Sequence, residues 1–269
     1  MSDSEFVHTD LRDGVLAVTL DRPKANAFND EMIAALQAAF KQAGRDPQVR
    51  VVLLSGSGRF FSTGRDLNDV LQAEGESFRR HLLKSFNPLI LQIRSLEKPV
   101  VASVNGAVAG AGLGIALACD LRIASTEARF VVGFLGIGLS LDSAVSLLLP
   151  ALIGLGRAAE YAFSNEPITA EQALEWGLVN RLAPPEELAA RSLAWAAELA
   201  RGPVRAMGLA KRAFNRAVLA GLEGVLDYEA HNQDIAGRGS EYREGVKAFL
   251  DKRPPVFTPS EPATRKEKD

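Results

Sequence analysis

Two glycine-bearing turns carry most of the chemistry legible in this chain. They are Phe60-Phe61-Ser62-Thr63-Gly64-Arg65-Asp66-Leu67 and Asn105-Gly106-Ala107-Val108-Ala109-Gly110-Ala111-Gly112. Each follows a short apolar run that reads as a strand, Val51 to Leu54 and Val100 to Val104, and each leads towards a helix. Set side by side, such turns aim two backbone N–H groups at one oxygen. That is an oxyanion hole, which stabilises an enolate or a tetrahedral oxyanion. Either turn alone reads as a glycine at a strand end. The pair, in this order, is the stronger signal.

A lone carboxylate is the other chemical feature. Asp142 stands in an otherwise uncharged stretch from Phe130 to Pro150. Burying a carboxylate is costly unless it is paired or protonated. Desolvation raises its pKa towards the range useful for proton transfer. The residues alone allow a second reading, in which Asp142 caps a helix running to Leu149. The single cysteine, Cys119, sits in an apolar stretch and reads as a small core residue. His8, His81 and His231 sit at no catalytic spacing, and no metal-ligand spacing is present.

The elements that must position these groups follow from periodicity. Phe6 to Leu11 and Val15 to Leu20 flank an Asp13-Gly14 turn and predict a hairpin. Asn29 caps a helix whose apolar positions include Met32, Ile33, Leu36 and Phe40. Val51 to Leu54 and Val100 to Val104 are continuous apolar runs, as strands buried on both faces require. Leu121 to Ala124 and Arg129 to Val132 predict two more strands. Gly75 to Leu96 predicts a helix broken or kinked at Pro88. Beyond Ser140 the pattern is helical: Ser140 to Leu149, Gly156 to Phe163, a helix capped by Thr169, then Pro185 to Ala200, Pro203 to Ala220, Leu222 to Ile235 and Ser240 to Leu250. An α/β core over residues 1–195 is therefore expected to carry the site, with a helical region over 196–257 and a disordered tail over 258–269.

The 269 residues suffice for a sizeable core. With 31 basic and 33 acidic residues the net charge is −2, and no basic stripe invites nucleic acid. One cysteine excludes an intrachain disulfide, and the N-terminus lacks an apolar leader, so a cytoplasmic location is expected. Pro99 to Cys119 is uncharged and long enough to span a membrane, yet its four glycines and many alanines read better as buried strand, turn and helix, so no membrane partner is expected. The glycines around Gly110 lack dinucleotide-fingerprint spacing, because Ile115 stands where the third glycine belongs.

The chain resembles the enoyl-CoA hydratase/isomerase family, the crotonases, over roughly Val7 to Phe257. The landmarks are Leu20-Asp21-Arg22-Pro23, Phe61 to Leu67, Lys98 to Ala102, Asn105-Gly106, Ala118 to Ala124 and Ala173 to Val179. The resemblance implies an α/β fold, the crotonase (ClpP-like) spiral of ββα units with a C-terminal helical trimerisation region. It implies an acyl-CoA thioester as partner, self-association as a homotrimer or dimer of trimers, and no separate cofactor, since CoA is part of the substrate. The backbone N–H groups of Arg65 and Ala111 would hold the thioester oxygen. Lys24, Ala25 and Ala27 would line the nucleotide side, Arg65, Asp66 and Leu67 the pantetheine, and Lys252 would meet a CoA phosphate.

The hydratases of this family use two glutamates. Here Gly114 and Phe134 fall at those positions, and neither transfers a proton. Gly114, Phe134 and Leu135 would instead shape an apolar acyl pocket, with room for a bulky or cyclic group. In 1,2-epoxyphenylacetyl-CoA isomerases and related 3,2-enoyl-CoA isomerases an aspartate in the context Ile137-Gly138-Leu139-Ser140-Leu141-Asp142-Ser143 is the acid/base. The resemblance thus favours an isomerase working through Asp142. Two other readings stay open: a hydratase using Glu74, Glu76 or Asp69 after the first turn, and a non-catalytic acyl-CoA binder.

Overall fold

The computed structural model describes residues 4–72 and 77–258. Asp13 and Gly14 both take positive φ, 49° and 81°. That backbone closes β1 (Val7–Arg12) and β2 (Val15–Leu20) into a two-residue hairpin. α1 (Asp30–Arg45) begins where Asn29 accepts a hydrogen bond from Met32 N–H at 2.9 Å.

One move then recurs three times. β3 (Val51–Gly56) joins a first sheet and β4 (Phe60–Ser62) a second. After α2 (Leu67–Gln72), α3 (Phe78–Lys84) and α4 (Phe86–Ser95), β5 (Val100–Val104) and β6 (Ala107–Ala109) repeat it and lead into α5 (Ala111–Ala118). β7 (Leu121–Ser125) and β8 (Arg129–Val131) repeat it again. The result is a spiral in which each turn gives one strand to each sheet. A 3₁₀ turn at Leu135–Ile137 follows, then α6 (Val145–Ile153), α7 (Leu155–Ser164), β9 (Ile168–Thr169), α8 (Ala170–Glu175) and β10 (Arg181–Ala183). The chain closes with α9 (Pro185–Arg201), α10 (Val204–Val218), α11 (Leu222–Ala236) and α12 (Ser240–Leu250).

The first sheet runs β1-β2-β3-β5-β7-β10 and is parallel apart from the hairpin. The second runs β4-β6-β8-β9, with only β9 antiparallel. The apolar runs of β3 and β5 have two faces to satisfy. Val52, Leu54, Val100 and Ala102 enter the main core. Val51, Leu53 and Val101 pack beneath α9 against Leu188, Trp195 and Ala196. Alternation would have exposed one face; continuity buries both.

Two expectations are corrected. The break near Pro88 falls at Ser85, and Pro88 sits in the first turn of α4, where a missing N–H costs nothing. The helix expected from Ser140 begins only at Val145, because Ser143 and Ala144 take φ of 56° and 63°. His81 is buried in α3. Residues 259–269 of the expected tail, and Glu74 and Glu76, lie outside the described residues. No described helix is long and apolar enough to cross a membrane.

Candidate active site

The strand ends of the second sheet carry three stacked glycines at positive φ: Gly64 (86°), Gly110 (56°) and Gly133 (84°). They follow β4, β6 and β8, which are hydrogen-bonded neighbours in that order. A Cβ at Gly64 would lie 3.1 Å from Ala109 O and 3.3 Å from Ala111 N. The turn bearing Arg65 therefore abuts the backbone nitrogen of Ala111, with no side chain between.

The first turn is held from below. Lys24, Ala25 and Asn26 take φ of 64°, 72° and 52° in succession. Non-glycine residues adopt that conformation at a cost, so something must pin it. Asn26 does: its Oδ1 accepts from Arg22 N–H at 2.9 Å, and its Nδ2 donates to the Ser57 and Phe60 carbonyls at 3.0 and 2.8 Å. Ser62 Oγ donates to the Asn26 carbonyl at 2.8 Å and accepts from Gly64 N–H at 3.2 Å. Phe28 N–H donates to Gly64 O at 2.7 Å, and Asp66 N–H to Phe28 O at 2.9 Å, which brackets Arg65.

The second turn opens α5, and Ala111 is its first residue. First-turn N–H groups lack intrahelical acceptors and carry the positive end of the helix dipole. At the far end the buried Arg122 donates to the carbonyls of Ala116, Leu117 and Cys119 at 3.4, 3.3 and 2.7 Å, gathering the helix C-terminus. Cys119 beside it is inert: burial pushes its thiol up to about 12.

Both turns face a cavity of about 580 Å³. Lys24, Ala25, Ala27, Arg65, Asp66, Leu67, Ala111, Phe134 and Asp142 all line it. Phe60, Phe78, Phe86, Tyr242 and Phe249 make much of the remaining wall aromatic. Phe134 stands over the second turn, with its ring 3.9 Å from where a Gly110 Cβ would be.

Asp142 is the carboxylate whose surroundings suit proton transfer. It is 8% exposed at the cavity wall. Burial pushes its carboxyl up to about 7 and Glu229 adds to the rise, while hydrogen bonds from Ser143 and Gln233 and the charge of Arg65 pull it down. Ser143 Oγ donates to Oδ1 and Gln233 Nε2 to Oδ2, both at 2.7 Å. Asp66, the other lining carboxylate among the described residues, differs. Burial raises it, but Arg22 at 2.8 Å and Asn68 more than offset this and hold it below its ordinary value.

Asp142 does not cap α6. That role falls to Glu229, whose buried carboxylate accepts from Ala144 N–H at 2.8 Å and Ser146 N–H at 2.9 Å. The left-handed Ser143-Ala144 pair is thus tied to α11, one helical turn before Gln233.

Two expected pocket positions are revised. Gly114 is buried in α5 and is absent from the cavity wall: a Cβ there would lie 2.5 Å from both Ser143 Cβ and Ser143 O. Its lack of a side chain makes room for the Asp142 loop, not for an acyl group. Leu135 packs against the core instead of lining the cavity. Lys252 is exposed, two residues beyond the lining Leu250. The Arg65 side chain places its charge where it acts on Asp142 and Tyr242. The site also draws on Tyr242, Phe249 and Leu250, so residues 196–257 contribute to it directly.

The enoyl-CoA hydratase/isomerase family model matches residues 10–260. The chain belongs to the enoyl-CoA hydratase/isomerase family. Members of this family act on acyl-CoA thioesters, and its fold is the crotonase spiral described above. This family member is 42% identical to 1,2-epoxyphenylacetyl-CoA isomerase of Escherichia coli over 94% of its length and 98% of the relative's. It is 40% identical to a "probable enoyl-CoA hydratase" of Rhodobacter capsulatus, covering 94% and 97%. Its fold matches the crystal structure of an enoyl-CoA hydratase from Mycobacterium avium subsp. paratuberculosis with a TM-score of 0.85 at 36% identity, covering 94% and 98%.

Gln233, Glu229, Ser143, Asn26 and Tyr242 escaped sequence reasoning. Glu229 and Gln233 are spaced i, i+4 on one helix, a visible pattern. Nothing in it names a partner loop 91 residues earlier.

Proposed function

We propose that this protein is an acyl-CoA isomerase that shifts a double bond, or opens an epoxide ring, in a CoA thioester. The observation that carries the reading is the Asp142 carboxyl, buried at the cavity wall and raised to about 7. A group with that pKa is able both to take and to return a proton at neutral pH.

The thioester oxygen accepts hydrogen bonds from the N–H groups of Arg65 and Ala111. Asp142 removes a proton alpha or gamma to the carbonyl. The two donors stabilise the dienolate. The same carboxylic acid then returns the proton to the other carbon, so one base suffices. Lys24, Ala25 and Ala27 meet the nucleotide, Arg65 to Leu67 the pantetheine and Lys252 a phosphate, with CoA as part of the substrate and no separate cofactor. The aromatic wall of Phe60, Phe78, Phe86 and Phe134 favours a bulky or cyclic acyl group. Self-association as a trimer or dimer of trimers would cover exposed apolar side chains such as Phe214, Tyr228 and Ile235.

A hydratase reading draws support from the relative in Rhodobacter capsulatus. Asp69 is a weak base for it: Asp69 does not line the cavity, is 40% exposed and lies 3.9 Å from Arg22. The deciding experiment mixes the protein with a 3-enoyl-CoA and follows the absorbance of the conjugated 2-enoyl thioester, beside a 2-enoyl-CoA sample. Conjugation that disappears in Asp142→Asn is the expected result. Hydration of the 2-enoyl sample would mean a lyase. Thioester binding without turnover in either sample would favour a silent binder or a more specialised substrate.

A further inference from the structure

The carboxylate that the proposed reaction needs is gripped by a residue from the far end of the chain. Gln233 is fully buried on α11. Its Nε2 donates to Asp142 Oδ2 at 2.7 Å. Its Oε1 has no hydrogen-bond partner among the described residues. A buried amide with an unsatisfied carbonyl is penalised for desolvation. The penalty is explained if the amide is held for its one bond, to Asp142.

The rest of the arrangement agrees. Ser143 Oγ donates to Asp142 Oδ1, so each carboxylate oxygen has one fixed donor and the carboxylate plane cannot turn. One turn earlier on α11, Glu229 fixes the backbone of the Asp142 loop through Ala144 N–H and Ser146 N–H. Loop and carboxylate are therefore located by the same helix face.

We infer that Gln233 is a positioning residue for Asp142: its amide, with the Ser143 hydroxyl, fixes the direction of the carboxylate and favours its proton-accepting form in a buried site. The inference deepens the isomerase reading and rests on it. α11 thus belongs to the catalytic apparatus as well as to the helical region.

Other charged groups around Asp142 act in known directions. Glu229 on α11 raises its proton affinity and Arg65 after β4 lowers it. Tyr242 on α12 lines the same cavity. Asp234 on α11 is engaged by Ser77 and Arg238, and His81 on α3 lies 3.7 Å from Asp30. Removing the Gln233 donor leaves burial and Glu229 less opposed.

The test is the pH profile of kcat for 3-enoyl-CoA isomerisation in Gln233→Met and Gln233→Asn, beside Asp142→Asn. Neither Gln233 variant presents a donor at the observed distance, and the shorter, polar asparagine guards against a folding failure of the methionine variant. The expected result is an acid limb moved to higher pH in both, a plateau kcat about tenfold lower and an unchanged KM. A structural role alone would lower the amount of active enzyme without moving the limb. An acid limb at the parent position in either folded variant overturns the inference. Full activity in Asp142→Asn would instead overturn the isomerase reading, so the two failures are distinguishable.

Discussion

Ser143 fills the space that any side chain at Gly114 would need. Its Cβ and its carbonyl oxygen each lie 2.5 Å from the position of a Gly114 Cβ. The contact is backbone on one side and a short buried side chain on the other, so neither can yield cheaply. Gly114→Ala is expected to cost ~1–3 kcal/mol as overpacking. The displaced loop carries Asp142, so kcat should fall more than KM rises. Chemical denaturation and steady-state kinetics check this. A variant as stable and active as the parent would mean that the loop moves aside freely. Gly114→Glu should likewise destroy isomerisation without creating a hydratase.

Proton linkage at Asp142 gives a prediction whose sign is unusual for an aspartate. Burial raises its carboxyl from an ordinary 3.8 to about 7 in the folded chain. The folded state therefore binds the proton more tightly than the unfolded state, and stability contributed by the protonated form is lost as pH rises from about 4 to about 7. Above that window the loss is complete. Asp142→Asn removes the titration, while its amide oxygen still accepts from Gln233 Nε2 and its NH₂ has the Ser143 hydroxyl oxygen as acceptor. The variant should melt at least ~3 °C above the parent at pH 8, with the gap shrinking towards pH 5. A gap that widens on acidification would contradict a raised carboxyl. Activity should move oppositely, rising through about pH 7 as the base form appears.

Much of the fold was legible because its cause is local. The Asp13-Gly14 hairpin needs only two residues that tolerate positive φ. β5 is legible to the residue because a strand covered on both faces leaves an unbroken apolar run. Thr169 forms a full capping box with Gln172, a pattern spanning four positions. What was hidden depends on distant partners. β4 and β6 have three residues each, too few for any period to show, so the repeated turn of the spiral left no sequence repeat. The start of α6 is hidden because Glu229 stabilises a left-handed Ser143-Ala144 pair that local propensity disfavours. The two glycine turns were visible as a pair, yet their contact and the α11 side of the site exist only once the chain is folded.

Tyr242 offers a check on the cavity wall. Its hydroxyl is buried without a hydrogen-bond partner among the described residues, and burial raises its pKa. Its ring stacks edge-on against Phe78 at 5.3 Å, a contact that phenylalanine would keep. Tyr242→Phe should therefore leave stability unchanged or raise it by up to ~1 kcal/mol, because an unsatisfied donor disappears and nothing is orphaned. Equilibrium denaturation measures this directly. A loss of 2 kcal/mol or more, on the scale of ~1–3 kcal/mol for an orphaned partner, would reveal a partner for the hydroxyl.

Glu229 and Gln233 sit one turn apart on α11 yet should shift the pH profile in opposite directions. Glu229 raises the proton affinity of Asp142 by its charge, whereas Gln233 lowers it by donating a hydrogen bond. Glu229→Gln removes the charge while keeping a carbonyl to accept from Ala144 or Ser146. Its acid limb is expected to move to lower pH, against the upward movement for Gln233→Met. One of the two N–H groups now bonded to the carboxylate loses its acceptor, so a stability loss of ~1–3 kcal/mol should accompany the shift. The pair of profiles separates electrostatics from damage. Simple loosening of the loop would weaken both variants and move neither limb, while a shift of both limbs in one direction would mean that Glu229 acts on Asp142 through geometry and not through charge.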